Sequence, residues 1–306
     1  MSPAAHQPPQ LARANGIDIC YEIFGDAKAE PMLLIMGLGA QMVLWDDPFC
    51  EKLAERGFRV IRFDNRDIGQ SSKMNGGKRL TPFELLKLRL FKIPVAAPYK
   101  LYDMAVDTIA LMDTLSIRRA HLVGASMGGM IAQEIAITFP ERVLSLTSIM
   151  STSGNPKVPP PSREAAAMLM APPPKTREEY IARFQQTWKM LRVGSFPEDE
   201  ALDVSRAERC FARGLNPAGV GRQLRAILAS GSRKTRLAQV KAPTLVIHGT
   251  VDPLVRPEGG KDTAASIPGA KLLMIEGMGH ALPIPMWPQV IDTIDSHAHG
   301  AAAKAA

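Results

Sequence analysis

The chain has 306 residues, of which 46% are hydrophobic, and its formal net charge is +7. This size allows one large folded domain or a domain with an insertion. Basic and acidic residues are interspersed, which is typical of solvated helix faces, so we expect no nucleic-acid partner. The most apolar stretch, residues 31–45, is interrupted by Gly37, Gly39 and Gln41, so we also expect no membrane span.

The three cysteines, Cys20, Cys50 and Cys210, are far apart and have no metal-ligand spacing. We therefore expect free thiols and no metal. Residues 1–10 contain neither a basic n-region nor an apolar h-region, which together with free thiols favours a cytoplasmic location. Residues 1–10 are rich in Pro and Gln, and residues 297–306 are rich in Ala. Both segments are predicted to be disordered tails.

The first half of the chain alternates between predicted strands and helices. Residues 11–24 alternate around Asn15-Gly16, a pattern typical of a β-hairpin. Apolar runs predict buried strands, and helical spacing predicts helices between them. The strands are expected at 32–36, 58–63, 120–123 and 143–150, and the helices in 40–57, 101–115 and 127–139. The alternation indicates an α/β fold with a mostly parallel, doubly wound sheet and an N-terminal antiparallel hairpin.

Residues 73–100 form a basic, apolar segment punctuated by prolines. Within it, residues 82–91 have the spacing of a short amphipathic helix. Such a helix can border a pocket or pack on the outside of the sheet, and the sequence leaves both alternatives open.

From residue 153 to residue 240 the pattern is helical only, with helices predicted at 162–171, 176–193, 198–213 and 217–230. Strands resume at 244–248 and 271–275, and a final helix is expected near 286–294. A helical insertion between parallel strands is typical of a lid over the carboxyl ends of the strands, where ligands bind. We therefore predict an α/β core of residues 11–152 and 241–296, with a helical cap of residues 153–240.

A G-x-S-x-G pattern, Gly124-Ala125-Ser126-Met127-Gly128, lies between a predicted strand and a predicted helix. In a tight strand-to-helix turn the serine backbone is strained, its hydroxyl stands above the sheet, and bulky neighbours would collide. The pattern occurs by chance in roughly one chain in ten of this length. The prediction that Ser126 is a nucleophile therefore depends on partners elsewhere in the chain.

Two such partners follow the strands that come after the insertion. Asp252 lies in the loop after residues 244–248, and His280 lies in the glycine-rich loop after residues 271–275. The chain order Ser, Asp, His is the one expected for this architecture. In the predicted mechanism His280 accepts the proton of Ser126 as general base, and Asp252 holds the imidazole in its productive tautomer.

An oxyanion hole needs two backbone donors. The amide of Met127, directly after the nucleophile, is predicted to be one donor. The second is expected from the loop after the strand at 32–36, with Leu38 as the predicted donor and Gly39 as the alternative.

The motifs GASMGG, HGTVDP, GMGH and MGLG together resemble the α/β-hydrolase superfamily over about residues 16–295. The stretch IRFDNRDIGQS with the helical lid resembles the bacterial carboxylesterases that include aclacinomycin methylesterase. The oxyanion loop of the superfamily usually begins His-Gly, but here it begins Met36-Gly37, which makes the entrance more apolar. Asp67 replaces a frequent glycine, and Asp64, Arg66 and Asp67 are predicted to be a structural ion-pair cluster.

These features predict a serine carboxylesterase that acts through an acyl-enzyme, without a cofactor, on small to medium apolar esters, methyl esters among them. The predicted pocket residues are Gly37, Gly39, Trp188 and Met168. The only predicted partner is the small-molecule ester, and the sequence leaves monomer and homodimer open. Alternatives are a lactonase, thioesterase, carbon–carbon bond hydrolase or perhydrolase, and a non-catalytic binding protein of this fold. A dinucleotide fingerprint in residues 32–64 is disfavoured because Met42 occupies the position of its third glycine.

Overall fold

The computed structural model describes residues 6–77, 80–81, 83–84, 91, 93, 95–193, 196–197 and 199–302. One sheet of eight strands runs through the molecule in the order β1-β2-β4-β3-β5-β6-β7-β8. β1 pairs antiparallel with β2, β2 pairs antiparallel with β4, and all other pairs are parallel. The strands are β1 (His6–Ala14), β2 (Ile17–Phe24), β3 (Glu30–Ile35), β4 (Phe58–Phe63), β5 (Ala120–Ala125), β6 (Val143–Ile149), β7 (Thr244–Gly249) and β8 (Lys271–Ile275).

Helices cover both faces of the sheet, as expected for a mostly parallel sheet. α2 and α3 pack on one face, and α1 and α10 pack on the other. Between β6 and β7 the described residues form five helices, α4 to α8, the last of which is only four residues long. The helices are α1 (Asp47–Glu55), α2 (Leu101–Thr114), α3 (Met127–Thr138), α4 (Arg163–Met170), α5 (Arg177–Arg192), α6 (Glu200–Ala212), α7 (Pro217–Ser230), α8 (Lys234–Leu237), α9 (Pro257–Ser266) and α10 (Trp287–Ala302).

The core consists mainly of two apolar layers, one on each side of the sheet. Along β3, Leu33 and Ile35 belong to the layer beneath α2 and α3, whereas Met32 and Leu34 belong to the layer beneath α1 and α10. Successive side chains of a strand point to opposite faces. A strand covered on both faces is therefore apolar throughout, which is why the buried strands are recognisable in the sequence.

Ion pairs join helices α6 and α7 of the insertion to the core. Arg206 and Arg209 pair with Asp46 and Asp47 at the start of α1. Arg213 pairs with Asp64 at 2.5 Å, and Arg222 pairs with Asp67 at 2.7 Å. Asp64, Arg66 and Asp67 thus do not pair with one another, because Arg66 binds Asp107 of α2 at 2.5 Å. The predicted ion-pair cluster is instead three separate pairs, two of which dock the insertion.

The structure corrects the predicted tails at both ends. Residues 6–10 belong to β1, where His6 pairs with Phe24 and stacks on its ring at 4.2 Å between centroids. Two prolines are tolerated because β1 is an edge strand with a register shift between Gln7 and Gln10. At the other end α10 continues to Ala302, with His297 buried, because the alanines are strong helix formers with a buried face.

Two predictions lie partly or wholly outside the described residues. The helix predicted at 82–91 falls mostly there, as do residues 1–5 and 303–306 of the predicted tails. In the described parts of the chain, no helix combines the length and apolarity that crossing a membrane requires.

Candidate active site

Ser126 occupies the turn between β5 and α3. Its backbone angles are φ 56° and ψ −118°, outside the regions that residues with a Cβ normally adopt. Two hydrogen bonds hold this turn: the Ser126 amide donates to the carbonyl of Ile149 at 2.9 Å, and Ser151 Oγ donates to the Ser126 carbonyl at 2.7 Å. The serine is therefore held in a conformation that costs free energy, at the carboxyl edge of the sheet.

The glycines around the turn are required by close backbone contacts. A Cβ added at Gly124 would lie 2.3 Å from the carbonyl oxygen of Gly128. One added at Gly128 would lie 1.9 Å from the carbonyl oxygen of Ile35, and one at Gly129 would lie 2.6 Å from Ser151 Cβ. Real Cβ atoms do not approach other atoms this closely, so the G-x-S-x-G-G pattern reflects the packing of α3 against β3 and β6.

The three residues predicted from separate motifs meet at this edge. His280 Nε2 lies 3.0 Å from Ser126 Oγ, and His280 Nδ1 lies 2.7 Å from Asp252 Oδ2. Asp252 and His280 are buried. The arrangement can transfer a proton from the serine hydroxyl to an imidazole whose opposite nitrogen is held by a carboxylate.

Asp252 is oriented by its own loop. Its Oδ1 accepts the amides of Leu254 and Val255, each at 2.8 Å. His248 Nε2 lies 2.8 Å from the Val255 carbonyl and 3.5 Å from Asp252 Oδ2, so its imidazole packs within the same loop. Burial raises the pKa of Asp252, but the neighbouring imidazoles of His280 and His248 outweigh burial, and the net pKa lies below its usual range. The carboxylate therefore stays ionised opposite the imidazole.

The loop that carries His280 rests on the end of α5. The His280 amide donates to the carbonyl of Leu191 at 2.7 Å. A Cβ added at Gly279 would lie 2.1 Å from the same carbonyl oxygen. Sequence reasoning did not identify this contact, because a backbone carbonyl leaves no signal in the residue types.

The loop after β3 lies directly against Ser126, since a Cβ added at Gly37 would be 3.1 Å from Ser126 Cβ and 3.6 Å from its Oγ. The Gly39 amide donates to Gln223 Oε1 at 2.9 Å, so it is not free for an oxyanion. Among the described residues, the amides of Leu38 and Met127 donate to no other group. Of the two donors considered from the sequence, the Leu38 amide is therefore available to an oxyanion and the Gly39 amide is not.

A cavity of about 1220 Å³ opens over Ser126 and His280. All four predicted pocket residues line it: Gly37, Gly39, Met168 and Trp188. Its wall is mostly apolar, and many of the apolar side chains come from the insertion, including Leu169, Phe184, Trp188 and Leu224. The site therefore places the hydroxyl of Ser126 at the base of a large, mostly apolar cavity.

Within the described residues no group of three or more His, Cys, Asp and Glu side chains has the arrangement of a metal site. The cysteines Cys20, Cys50 and Cys210 are free and buried. Burial raises the pKa of the Cys50 and Cys210 thiols to about 12, so neither is a competing nucleophile.

The chain belongs to the alpha/beta hydrolase fold family, whose model matches residues 30–285. It is 31% identical over 315 residues to rhodomycin D methylesterase DauP from Streptomyces sp., covering 96% of this chain and 99% of that protein. It is 30% identical over 317 residues to rhodomycin D methylesterase DnrP from Streptomyces peucetius, with the same coverage. The resemblance to the superfamily and to its methylesterase group, inferred from motifs, is confirmed by these relatives.

Solved structures share the fold across nearly the whole chain. An enol-lactonase from Burkholderia xenovorans LB400 superimposes with a TM-score of 0.72 at 22% identity, covering 94% of this chain and 99% of that chain. A meta-cleavage product hydrolase from Pseudomonas fluorescens IP01 superimposes with a TM-score of 0.75 at 20% identity, covering 95% and 98%. These similarities confirm the predicted α/β-hydrolase fold.

Proposed function

We propose that this protein is a carboxylesterase in which Ser126, His280 and Asp252 form the catalytic triad. Ser126 Oγ attacks the ester carbonyl while His280 Nε2 accepts its proton. Asp252 stabilises the imidazolium through Nδ1. The negative oxygen of the tetrahedral intermediate accepts hydrogen bonds from the amides of Leu38 and Met127.

The intermediate collapses when His280 returns the proton to the departing alkoxide. The alcohol leaves and Ser126 carries the acyl group as an ester. Water then repeats the sequence: His280 accepts its proton, the hydroxide adds to the acyl carbon, and the acid leaves as Ser126 recovers its proton.

The observation that carries this proposal is the chain of hydrogen bonds from Ser126 Oγ to His280 to Asp252, at 3.0 Å and 2.7 Å. It connects three strand ends that are separated by up to 154 residues. The position of Ser126 in a strained turn supports the same conclusion, because such strain is retained where function requires it.

For the substrate we propose a methyl ester of an apolar carboxylic acid. Full-length similarity to two proteins named as methylesterases supports the leaving group. The cavity of about 1220 Å³ supports a bulky acyl group, since it exceeds the roughly 300–1000 Å³ usual for small-molecule sites. A bulky acid is larger than the small to medium esters predicted from sequence.

Polar groups in the cavity wall also support an apolar acyl group. Asn216 donates to the carbonyl of Asp67, and Arg206 pairs with Asp46. Since these groups already have partners, a polar substituent on the substrate would gain little from them. Apolar contact with the side chains of the insertion is left as the main source of binding free energy.

The test is a panel of methyl esters of aliphatic and polycyclic aromatic acids, with methanol release as the measured quantity. Ethyl esters, a thioester and a lactone of matched size serve as comparisons. We expect Ser126-dependent methanol release, faster for bulky apolar acids than for acetate. If the Ser126→Ala variant releases methanol at the wild-type rate, the proposed mechanism is wrong. If the lactone or thioester is hydrolysed in preference to every methyl ester, the proposed substrate class is wrong.

A further inference from the structure

Gln223 of helix α7 reaches from the insertion to the loop that carries the proposed oxyanion donor. Its side chain is fully buried. Its Oε1 accepts the amide of Gly39 at 2.9 Å, and its Nε2 donates to the carbonyl of Arg66 at 2.9 Å. Both ends of the amide are therefore used, which fixes its orientation.

The loop of residues 36–40 has two other hydrogen bonds among the described residues. Asn65 Nδ2 donates to the Met36 carbonyl at 2.9 Å, and the Ala40 amide donates to the Gly37 carbonyl at 3.3 Å. Neither bond involves the peptide unit between Leu38 and Gly39. Gly39 has φ +69°, which a glycine adopts readily. Because a glycine has no side chain to restrict its backbone, other contacts must fix this conformation. Its bond to Gln223 is therefore the polar contact that selects this conformation.

The same contact controls which amides are available to an oxyanion. The Gly39 amide is engaged by Gln223, whereas the Leu38 amide donates to no other group among the described residues and is available to an oxyanion. Helix α7 also packs on the loop, because a Cβ added at Gly39 would lie 3.1 Å from Val220 Cγ2. The helix is docked in turn by the Arg222–Asp67 pair at 2.7 Å.

We propose that Gln223 is a positioning residue for the oxyanion hole. By holding the Gly39 amide it aims the Leu38 amide at the oxyanion, so that one side chain of an inserted helix orients the oxyanion loop. This proposal rests on the proposed function, because it assumes that Leu38 serves as a donor. It adds that part of the transition-state stabilisation depends on a side chain 184 residues away from the loop.

Two substitutions of Gln223 separate this role from a structural one. Gln223→Met keeps the volume and removes both hydrogen bonds. Gln223→Glu keeps an acceptor for the Gly39 amide, and its neutral carboxyl can also donate to the Arg66 carbonyl. The matched control is Arg222→Gln, which weakens docking of the same helix without touching the Gly39 amide.

The measurements are kcat and KM for a p-nitrophenyl ester, the inhibition constant of a trifluoromethyl ketone, and the melting temperature of each variant. A trifluoromethyl ketone adds to the serine and places an oxyanion in the hole. For Gln223→Met we expect kcat to fall about 10- to 100-fold with KM nearly unchanged, since a displaced donor costs part of its full value. Ketone binding should weaken by a similar factor. Gln223→Glu should retain more activity than Gln223→Met.

Arg222→Gln should lower the melting temperature but keep kcat within about threefold of wild type, because the Gly39 amide keeps its partner. The proposal is overturned if Gln223→Met keeps wild-type kcat, if ketone binding does not weaken with kcat, or if Arg222→Gln loses kcat equally. If the wild-type protein shows no Ser126-dependent hydrolysis, the proposed function itself fails. An active wild type with an unaffected Gln223→Met variant refutes only the role of Gln223.

Discussion

Replacing Ser126 by glycine is expected to stabilise the protein relative to Ser126→Ala, although both variants lose activity. At ordinary positions the order is reversed, because glycine gains more conformational entropy on unfolding and costs about 0.4–1 kcal/mol. At Ser126 the angles φ 56° and ψ −118° are sterically strained for every residue that has a Cβ. Only glycine adopts them without this strain.

The expected difference follows from two opposing contributions. Strain in a sparsely populated backbone region costs about 1–3 kcal/mol. Subtracting the entropic cost of glycine, about 0.4–1 kcal/mol, leaves a net gain of about 1 kcal/mol for Ser126→Gly over Ser126→Ala. The hydrogen bond to His280 is lost in both variants and cancels in the comparison. For a chain of this size the gain corresponds to about 2 °C in melting temperature.

Thermal melting followed by circular dichroism, with both variants in the same buffer, measures this difference. The matched control is Ala182→Gly on the exposed side of α5, where glycine should lower the free energy of unfolding by about 1 kcal/mol. Opposite signs at the two sites are the expected result. If Ser126→Ala is as stable as Ser126→Gly or more so, the turn is not strained and the explanation of the glycine pattern fails.

Three further predictions concern Asp252, Gly279 and two buried histidines. Asp252→Asn should lower kcat by about 10³- to 10⁴-fold with little change in KM, since the imidazole would adopt the wrong tautomer. Steady-state kinetics measure both constants, and a loss of kcat below tenfold would contradict the role assigned to Asp252. Gly279→Ala should destabilise the protein by about 1–3 kcal/mol, because the new Cβ would lie 2.1 Å from the Leu191 carbonyl oxygen. An unchanged melting temperature would show that α5 does not support the loop that carries His280. Burial lowers the pKa of His121 and of His297 below the ordinary value near 6.5, so the unfolded chain binds more protons than the folded one below that pH. The melting temperature should therefore be highest above pH about 6.5 and should fall as the pH decreases toward the lowered pKa values. A double variant, His121→Gln with His297→Gln, should show a shallower fall. Equal slopes in the two proteins would rule out these residues as the cause.

Much of the fold can be predicted because its signals are local. The buried strands are apolar on both faces, and three of the inserted helices begin at residues whose side chains cap them: Ser162, Thr176 and Asp199. Pro217 stands at the first position of α7. Such features depend on neighbours in the sequence, and the predicted bounds of α4 to α7 therefore lie within two residues of the observed ones.

The site was predictable for a related reason. Ser126, Asp252 and His280 each follow an apolar strand, and parallel strands bring their carboxyl ends to one edge. The topology therefore brings the three together without further information. Glycines beside them mark the close contacts that the structure shows.

What the sequence did not reveal depends on contacts between distant parts of the chain. Gln223 and Gly39 are 184 residues apart, and neither stands in a pattern that identifies the other. The pairing of Arg213 with Asp64 likewise depends on how the insertion docks. At the N-terminus, His6 gains order from stacking on Phe24, which composition alone cannot indicate.

The most direct test of the proposed mechanism is to trap the acyl-enzyme. The protein is mixed with excess p-nitrophenyl acetate, quenched in acid within the first turnover, digested, and analysed by peptide mass spectrometry. The mechanism predicts a burst of p-nitrophenol close to one equivalent and an acetyl group on Ser126, with neither in Ser126→Ala. Hydrolysis without a burst and without acylated Ser126, or an acyl group on another residue, would contradict it.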